Sequence, residues 1–92
     1  MALKLHLAHI LVQHKYEAED LLRKLQNSTA AFGDLAKKFS QCPSAQKCGD
    51  LGLISLDRFD SDFSEAAELL KVGEISPIVR TRFGYHLIQR LA

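Results

Sequence analysis

The segment from residue 3 to residue 12, LKLHLAHILV, limits the fold more than any other part of this 92-residue chain. Its odd and even positions form two faces of a strand, and both faces are rich in apolar residues. A strand of this kind is covered on both sides, as a central strand is. A chain of this length builds one modest core, so we expect a single domain over residues 1–92.

Charge and composition exclude several classes of function. The formal net charge is +1 and no block of like charge stands out, so a role at nucleic acids or at a membrane surface has no electrostatic support. No apolar run reaches the length of a membrane span. The N-terminal apolar run contains Lys4, His6 and His9 and lacks a small-residue cleavage site, which argues against a signal peptide. We expect a cytoplasmic protein, or a periplasmic one if the chain is a domain of a larger exported protein.

Three amphipathic helices are predicted from apolar residues at helical spacing. The stripes are Ala18, Leu21, Leu22 and Leu25, then Phe32, Leu35, Ala36 and Phe39, then Phe63, Ala66, Ala67 and Leu70. Thr29 is the predicted N-cap of the second helix, and Asp60 or Ser61 that of the third. Gly73 stands where a left-handed residue would end a long third helix.

Further short strands are predicted between and after these helices. They cover residues 51–55, residues 78–80 after Pro77, and residues 85–91 after a turn at Phe83 and Gly84. In the last strand His86, Ile88 and Arg90 share one face. Short strands among helices with a final hairpin indicate a mixed domain with a small antiparallel sheet.

The loop QCPSAQKCGDLG, residues 41–52, raises the question of a metal or a catalytic thiol. Structural zinc sites favour paired cysteines two to four residues apart, whereas Cys42 and Cys48 are separated by five residues and stand alone. A Cys-His hydrolase with Cys42 as nucleophile would need an oxyanion hole and a third orienting group, and neither is recognisable. Two free thiols are the favoured interpretation.

Histidines and phenylalanines give a second set of candidates. A histidine on an apolar strand face is more often a hydrogen-bonded core residue than a ligand or a base. His9 and His86, however, lie on strands predicted for one small sheet, so their rings can meet if those strands pair. Phe59, Phe63 and Phe83 are core residues by default, although Phe59 and Phe83 lie beside turns, where pocket walls are common.

Four strings, in order and at matching spacings over almost the whole chain, resemble the parvulin family of peptidyl-prolyl cis/trans isomerases. They are HILV from His9, CPSAQKCGDLG from Cys42, the phenylalanine at Phe63 in a helix start, and FGYHLI from Phe83. The resemblance implies the α+β parvulin (FKBP-like) fold, a four-stranded antiparallel sheet surrounded by about four helices. The implied order is β-α-α-α-β-α-β-β, with a short helix near residues 44–47.

The resemblance also implies a site. His9 and His86 would be hydrogen-bonded to each other or through Thr81, and Cys42 would face them. The proline ring of a substrate would lie against the pocket residues Leu51, Phe59, Phe63 and Phe83. The implied partners are proline-containing peptides or unfolded proteins, bound by a monomer without metal or cofactor.

The implied reaction uses binding energy alone. Rotation about an Xaa-Pro bond passes a twisted geometry over a barrier of roughly 18–20 kcal/mol, and an apolar clamp in a dry site can stabilise that geometry. Cys42 could attack the carbonyl as a thiolate, or act as a polar group that tunes the site. We favour the tuning role, because aspartate replaces this cysteine in the family. The rival function is a non-catalytic domain that binds unfolded or extended segments as a chaperone module.

Several positions depart from the family pattern. Phe59 stands where methionine is usual, which could reshape the pocket, and Leu56, Asp57 and Arg58 replace a turn that tends to contain glycine. Cys48 replaces a basic residue, and its nearness to Cys42 permits an oxidation-sensitive disulfide as a hypothesis. Asp50 is expected to accept backbone N–H groups.

The loop after the first strand, residues 13–15, carries one histidine and one lysine. Readers of phosphoserine-proline or phosphothreonine-proline in this family have a cluster of basic residues there, because a phosphate needs several charge-assisted donors. We therefore expect no phosphate requirement, and tolerance of apolar or basic residues before proline.

Overall fold

Four strands and three α-helices make up the computed structural model, which describes residues 4–27 and 30–92. In chain order they are β1 Lys4–Val12, α1 Lys15–Gln26, α2 Phe32–Phe39, β2 Asp50–Ser55, α3 Ser61–Glu68, β3 Val79–Thr81 and β4 Gly84–Arg90. Short 3₁₀ helices, Pro43–Lys47 and Leu56–Arg58, precede and follow β2. The predicted element order is confirmed, with a 3₁₀ helix in the place of the expected short helix. Leu3 and Thr29 lie outside the described residues.

The sheet is antiparallel and has the strand order β2-β1-β4-β3, so β1 is an interior strand as its pattern predicts. β4 pairs with β1 in a register that sets His9 opposite Ile88 and Leu11 opposite His86. His9 and His86 are therefore diagonal neighbours on one face, close enough for long side chains to meet.

Each face of β1 contributes to a separate apolar cluster. Ala8, Ile10 and Val12 pack with buried residues of α1 and α2 on one side of the sheet. Leu5 and Leu7 pack on the other side with residues that include Phe63 of α3. The predicted stripes of α1 and α2 face the first cluster, although Phe39 at the end of its stripe is 39% exposed.

The prediction of a long third helix ending at Gly73 is wrong. α3 ends at Glu68: the Leu70 N–H donates to the Ala67 carbonyl at 3.1 Å in a tighter turn, and the chain then returns to β4. The Gly73 N–H donates to the Arg90 carbonyl at 2.7 Å, and the Arg90 N–H donates to the Glu74 carbonyl at 3.1 Å. Gly73 has a positive φ of 89°, but it serves this return of the chain rather than a helix end.

Backbone hydrogen bonds hold the loop between α2 and β2 against β1. The Gln41 N–H donates to the Leu11 carbonyl at 2.8 Å, and the His9 N–H donates to the Gly49 carbonyl at 2.9 Å. These two bonds bracket Cys42, so the position of its backbone is set by the strand that carries His9. The approach is close at Gly49, where a Cβ would lie 2.5 Å from the His9 carbonyl oxygen.

We expect Gly49→Ala to destabilise the fold strongly. Gly49 has a φ of +82°, and an added Cβ would also meet the Ala36 Cβ at 2.9 Å, so backbone strain and a clash of atoms add to a loss of about 3–5 kcal/mol. Gly52→Ala is the matched control, since Gly52 has a φ of +73° with no atom within 4 Å of the added Cβ, and strain alone costs about 1–2 kcal/mol. Urea unfolding of both variants measures the difference; equal losses would contradict the importance of the Gly49 contact.

Candidate active site

A hydrogen-bonded chain of three side chains crosses the sheet. His9 of β1 and His86 of β4 approach with 3.2 Å between their Nδ1 atoms, and their rings stack at 5.4 Å between centroids. Thr81 at the end of β3 places its Oγ1 2.7 Å from His86 Nε2 and accepts the Phe83 N–H at 3.2 Å. The structure thus joins three of the predicted site residues in one line.

Neutral rings satisfy this chain in either direction. The Thr81 hydroxyl can donate to His86, whose Nδ1–H then donates to His9, or both bonds can run the opposite way. Each pattern needs one N–H per ring. His9 Nε2 is buried and has no hydrogen-bond partner among the described residues, so it adds to the cost of charging that ring.

Burial keeps both histidines uncharged at neutral pH. It lowers the pKa of His9 to about 4, with repulsion from His86 as the smaller cause. Burial also lowers the pKa of His86, and the nearby Asp60 carboxylate partly opposes that effect. The two buried histidines are therefore predominantly neutral near pH 7.

An open apolar cavity of about 200 Å³ lies over His86. It is lined by Phe59, Asp60, Phe63, Thr81, Arg82, Phe83 and His86. Phe63 is the buried floor and presents its ring edge-on to His9 and His86, with centroids 5.8 and 5.5 Å away. Phe59 stacks on Phe63 at 4.8 Å, whereas Phe83 is a wall that is 58% exposed. The three phenylalanines predicted for a pocket therefore share one.

Three of the predicted site residues, Leu51, Cys42 and His9, do not line this cavity. Leu51 packs against the apolar cluster that contains Phe63. Cys42 is a half-buried free thiol at the residue before the 3₁₀ helix Pro43–Lys47. His9 does not line the cavity either, but its ring contacts two residues that do, His86 and Phe63. The cavity thus combines the aromatic residues with His86 and Thr81, and leaves the thiol to one side.

Sequence reasoning missed two charged residues of the cavity. Asp60 was considered only as a helix cap, and Arg82 was not considered at all, although each adjoins a predicted pocket phenylalanine. Arg82 Nη2 lies 3.5 Å from Asp60 Oδ1. Their places in turns next to Phe59 and Phe83 were the available signal.

Asp50 has the predicted turn contact and one further partner. Its carboxylate accepts the Gly52 N–H at 2.7 Å and also lies 2.8 Å from His6 Nε2. These two hydrogen bonds, the backbone one first, lower the pKa of Asp50. The His6 contact joins β1 to β2 and was not foreseen from the sequence.

The geometry of the loop opposes a disulfide between its two cysteines. The Ala45 N–H donates to the Cys42 carbonyl and the Cys48 N–H to the Ala45 carbonyl, at 2.9 and 3.0 Å. Two successive 3₁₀ turns place residues six apart at roughly 10–12 Å along the axis, beyond the reach of a disulfide. Pairing Cys42 with Cys48 would require unwinding of the helix Pro43–Lys47.

Residues 4–27 and 30–92 contain no cluster of three or more histidine, cysteine or acidic side chains that could bind a metal ion. Over the same part of the chain, no helix is long and apolar enough to span a membrane.

A family model described as the PPIC-type PPIase domain, or rotamase, matches residues 9–92. The chain belongs to this parvulin family of peptidyl-prolyl isomerases. It is 44% identical over 88 residues to the foldase protein PrsA of Bacillus subtilis, and the match covers 95% of this chain and 30% of that protein.

A second relative is the peptidyl-prolyl cis-trans isomerase Pin1 of Digitalis lanata, 43% identical over 74 residues, which are 80% of this chain and 63% of the relative. The crystal structure of PrsA from Bacillus subtilis superposes with a TM-score of 0.91 at 43% identity, over 97% of this parvulin chain and 35% of the other. The parvulin fold is therefore confirmed, and the chain spans about a third of the foldases that it matches.

We expect this parvulin domain to lose stability as the pH falls from 6.5 towards 4. The unfolded chain takes up a proton on His9 near pH 6.5, whereas the folded chain resists it to about pH 4, so stability rises with pH across this window. The full effect of His9 is roughly 3 kcal/mol, and His86 acts in the same direction.

Urea unfolding at several pH values, for the unchanged protein and for His9→Gln, measures this dependence. The variant is expected to be less stable at pH 7 and to have a flatter slope between pH 6.5 and 4. Ile10→Val, at a buried neighbour on the other face of β1, is the control and should cost about 0.5–1.5 kcal/mol without a change in slope. An unaltered slope in His9→Gln would show that His9 does not carry the effect.

Proposed function

We propose that this parvulin domain is a peptidyl-prolyl cis/trans isomerase that accelerates rotation about Xaa-Pro bonds in peptides and unfolded proteins, and so assists protein folding. The observation that carries the proposal is the cavity of three phenylalanines over a buried, uncharged His86. Membership of the family and the isomerase and foldase names of its relatives support the same activity.

The chemistry needs no bond to be made or broken. A planar Xaa-Pro amide is polarised by resonance, and the twisted transition state loses that resonance over a barrier of roughly 18–20 kcal/mol. Phe59, Phe63 and Phe83 hold the proline ring, and Leu51 supports the pocket from the adjoining apolar cluster. The phenylalanine rings and the neutral histidines favour the less polar twisted amide over either planar form, which is how the site lowers the barrier.

The hydrogen-bonded chain positions the neutral histidines of this site. Thr81 fixes the ring of His86, and His9 fixes it from the other side, so the cavity floor keeps its shape and stays uncharged. Cys42 acts as a polar group near the site rather than as a nucleophile. Its half-buried position outside the cavity lining supports this assignment, because attack on a bound carbonyl requires direct contact.

Catalysis does not require a phosphate on the substrate. Residues 13–15 after β1 carry one histidine and one lysine, and Lys15 is already the first residue of α1. His14 stacks on the ring of Tyr16, so this segment offers few donors for a dianion. Apolar or basic residues are accepted before proline. A single domain over residues 1–92, a monomer and a cytoplasmic location, or a periplasmic one within a larger exported protein, stay predictions.

The isomerase activity predicts that a small amount of this protein speeds cis/trans exchange in a short Xaa-Pro peptide. Uncatalysed exchange takes tens to hundreds of seconds, so NMR exchange spectroscopy resolves even weak catalysis. Cys42→Asp is expected to keep much of the activity and Cys42→Ala to lose about tenfold. If both variants abolished exchange equally while folding normally, the nucleophile would return as the better explanation.

We expect equal catalysis of a Ser-Pro peptide and its phosphorylated form, within about threefold, since residues 13–15 after β1 carry one lysine and one histidine and a phosphate needs several charge-assisted donors. The same exchange measurement at matched peptide concentration tests this. A gain of a hundredfold on phosphorylation would contradict the assignment of substrates. Replacing Lys15, the basic side chain of that segment, with glutamine is the control and should leave both rates unchanged.

A second candidate is the non-catalytic binder of extended segments. The exposed Phe83 wall and the position of Cys42 outside the cavity favour it. In that case peptide signals would shift on binding while cis/trans exchange stayed slow.

A further inference from the structure

One ion pair crosses the mouth of the cavity. Asp60 precedes the first turn of α3, and Arg82 lies in the turn between β3 and β4, with 3.5 Å between Oδ1 and Nη2. They are the two charged residues among the described lining of the cavity. Neither belongs to the aromatic pocket or to the hydrogen-bonded chain, and the proposed isomerisation does not need them.

The two partners differ in how firmly they are held. The Asp60 side chain is 27% exposed and the Arg82 side chain is 76% exposed. The Asp60 carbonyl accepts the Ser64 N–H at 3.0 Å, which ties its backbone to the first turn of α3. Arg82 rests on the Phe83 ring, 5.0 Å from its centroid. Because an exposed arginine in a single contact of 3.5 Å gains little from it, Arg82 can move outward while Asp60 stays.

Movement of Arg82 would leave a negative charge in the cavity. The floor offers nothing to balance it, since the histidines there are neutral at pH 7. The Asp60 carboxylate acts across the cavity: burial lowers the pKa of His86, and Asp60 opposes that change. Arg82 thus covers Asp60 in the free protein much as a cationic side chain of a substrate would.

We propose that Asp60 is a specificity-determining residue that favours Xaa-Pro segments with lysine or arginine next to the proline, and that Arg82 is its internal competitor. This inference rests on the isomerase function proposed above and names the substrates of that same cavity. In the proposed complex, Phe59 and Phe83 hold the proline ring. Asp60 directly follows Phe59, and Arg82 directly precedes Phe83. Both charged side chains are therefore within reach of the peptide residues beside the proline.

An acidic neighbour of proline is disfavoured by the same geometry. Its carboxylate would approach the fixed charge of Asp60, and its attraction to Arg82 would require a mobile and exposed side chain to become ordered, which costs entropy. A lysine of the peptide instead pairs with the fixed carboxylate of Asp60. The only interaction that the protein loses is the weak ion pair between Asp60 and Arg82. The difference is electrostatic and should shrink as salt is added.

The experiment compares peptides that differ at one residue next to proline, either before or after it, and carry lysine, leucine or glutamate there. Exchange spectroscopy gives kcat/KM for each peptide. In the unchanged protein we expect kcat/KM for the lysine peptide to exceed that for the glutamate peptide by about fivefold, which is the effect of one partly exposed ion pair. Asp60→Asn should bring that ratio to about one, and Arg82→Gln should raise the lysine rate by about threefold.

Ratios within one variant cancel any general loss of activity. Asp62→Asn is the matched control, because Asp62 carries the same charge two residues further along, in the first turn of α3, but is exposed and does not line the cavity; its ratio should equal that of the unchanged protein. A lysine-to-glutamate ratio that survives Asp60→Asn, or a preference for glutamate in the unchanged protein, overturns the inference.

The outcomes separate this inference from the function on which it rests. If the leucine peptides are catalysed but the lysine-to-glutamate ratio does not depend on Asp60, the inference is wrong and the isomerase function stands. If the protein does not speed cis/trans exchange in any peptide, the isomerase proposal fails. The charge preference is then measured for the same variants from dissociation constants, obtained from the changes in peptide NMR chemical shifts on binding. Loss of the preference with Asp60→Asn in those constants supports Asp60 as the selecting residue, and its persistence overturns that role.

Discussion

The pairing of β1 with β4 is the contact on which the candidate site depends. It makes β1 an interior strand, gives each of its faces an apolar cluster, and sets His9 and His86 diagonally across one face. β3 is the outer neighbour of β4 and brings Thr81 within 2.7 Å of the second ring. A shift of one residue in this register would turn the histidines to opposite faces, so the chain of hydrogen bonds and the sheet have a common origin.

Burial, rather than a neighbouring charge, is the main determinant of the protonation state of the two histidines. Two imidazoles and a hydroxyl form one hydrogen-bonded chain, and the ring of Phe63 packs edge-on against both imidazoles. A proton added to His9 would place a charge on a buried ring whose Nε2 has no hydrogen-bond partner among the described residues, which is costly. The same burial that keeps the rings neutral therefore makes the domain sensitive to acid.

Much of the fold could be predicted because periodicity and burial agree along the chain. The alternation in β1 and the stripes of α1 and α2 each matched the face that the structure buries, and the parvulin resemblance ordered the elements. The length of α3 could not be predicted, since the helical stripe does not reveal the tighter turn at Leu70 or the return of the chain to β4 through backbone bonds of Gly73 and Glu74 with Arg90. Asp60 and Arg82 were missed for a related reason: each has an ordinary local role, and only the tertiary fold brings the two turns together.

The distance in sequence between the paired histidines has a consequence for synthesis. The hydrogen bond between His9 and His86 spans 77 positions, and the strand that carries His86 also completes the cover of β1. A nascent chain that has not yet emerged from the ribosome past β4 leaves β1 with an unpaired edge beside exposed leucines. The sheet that positions both histidines therefore cannot close during synthesis until β4 is available to pair with β1.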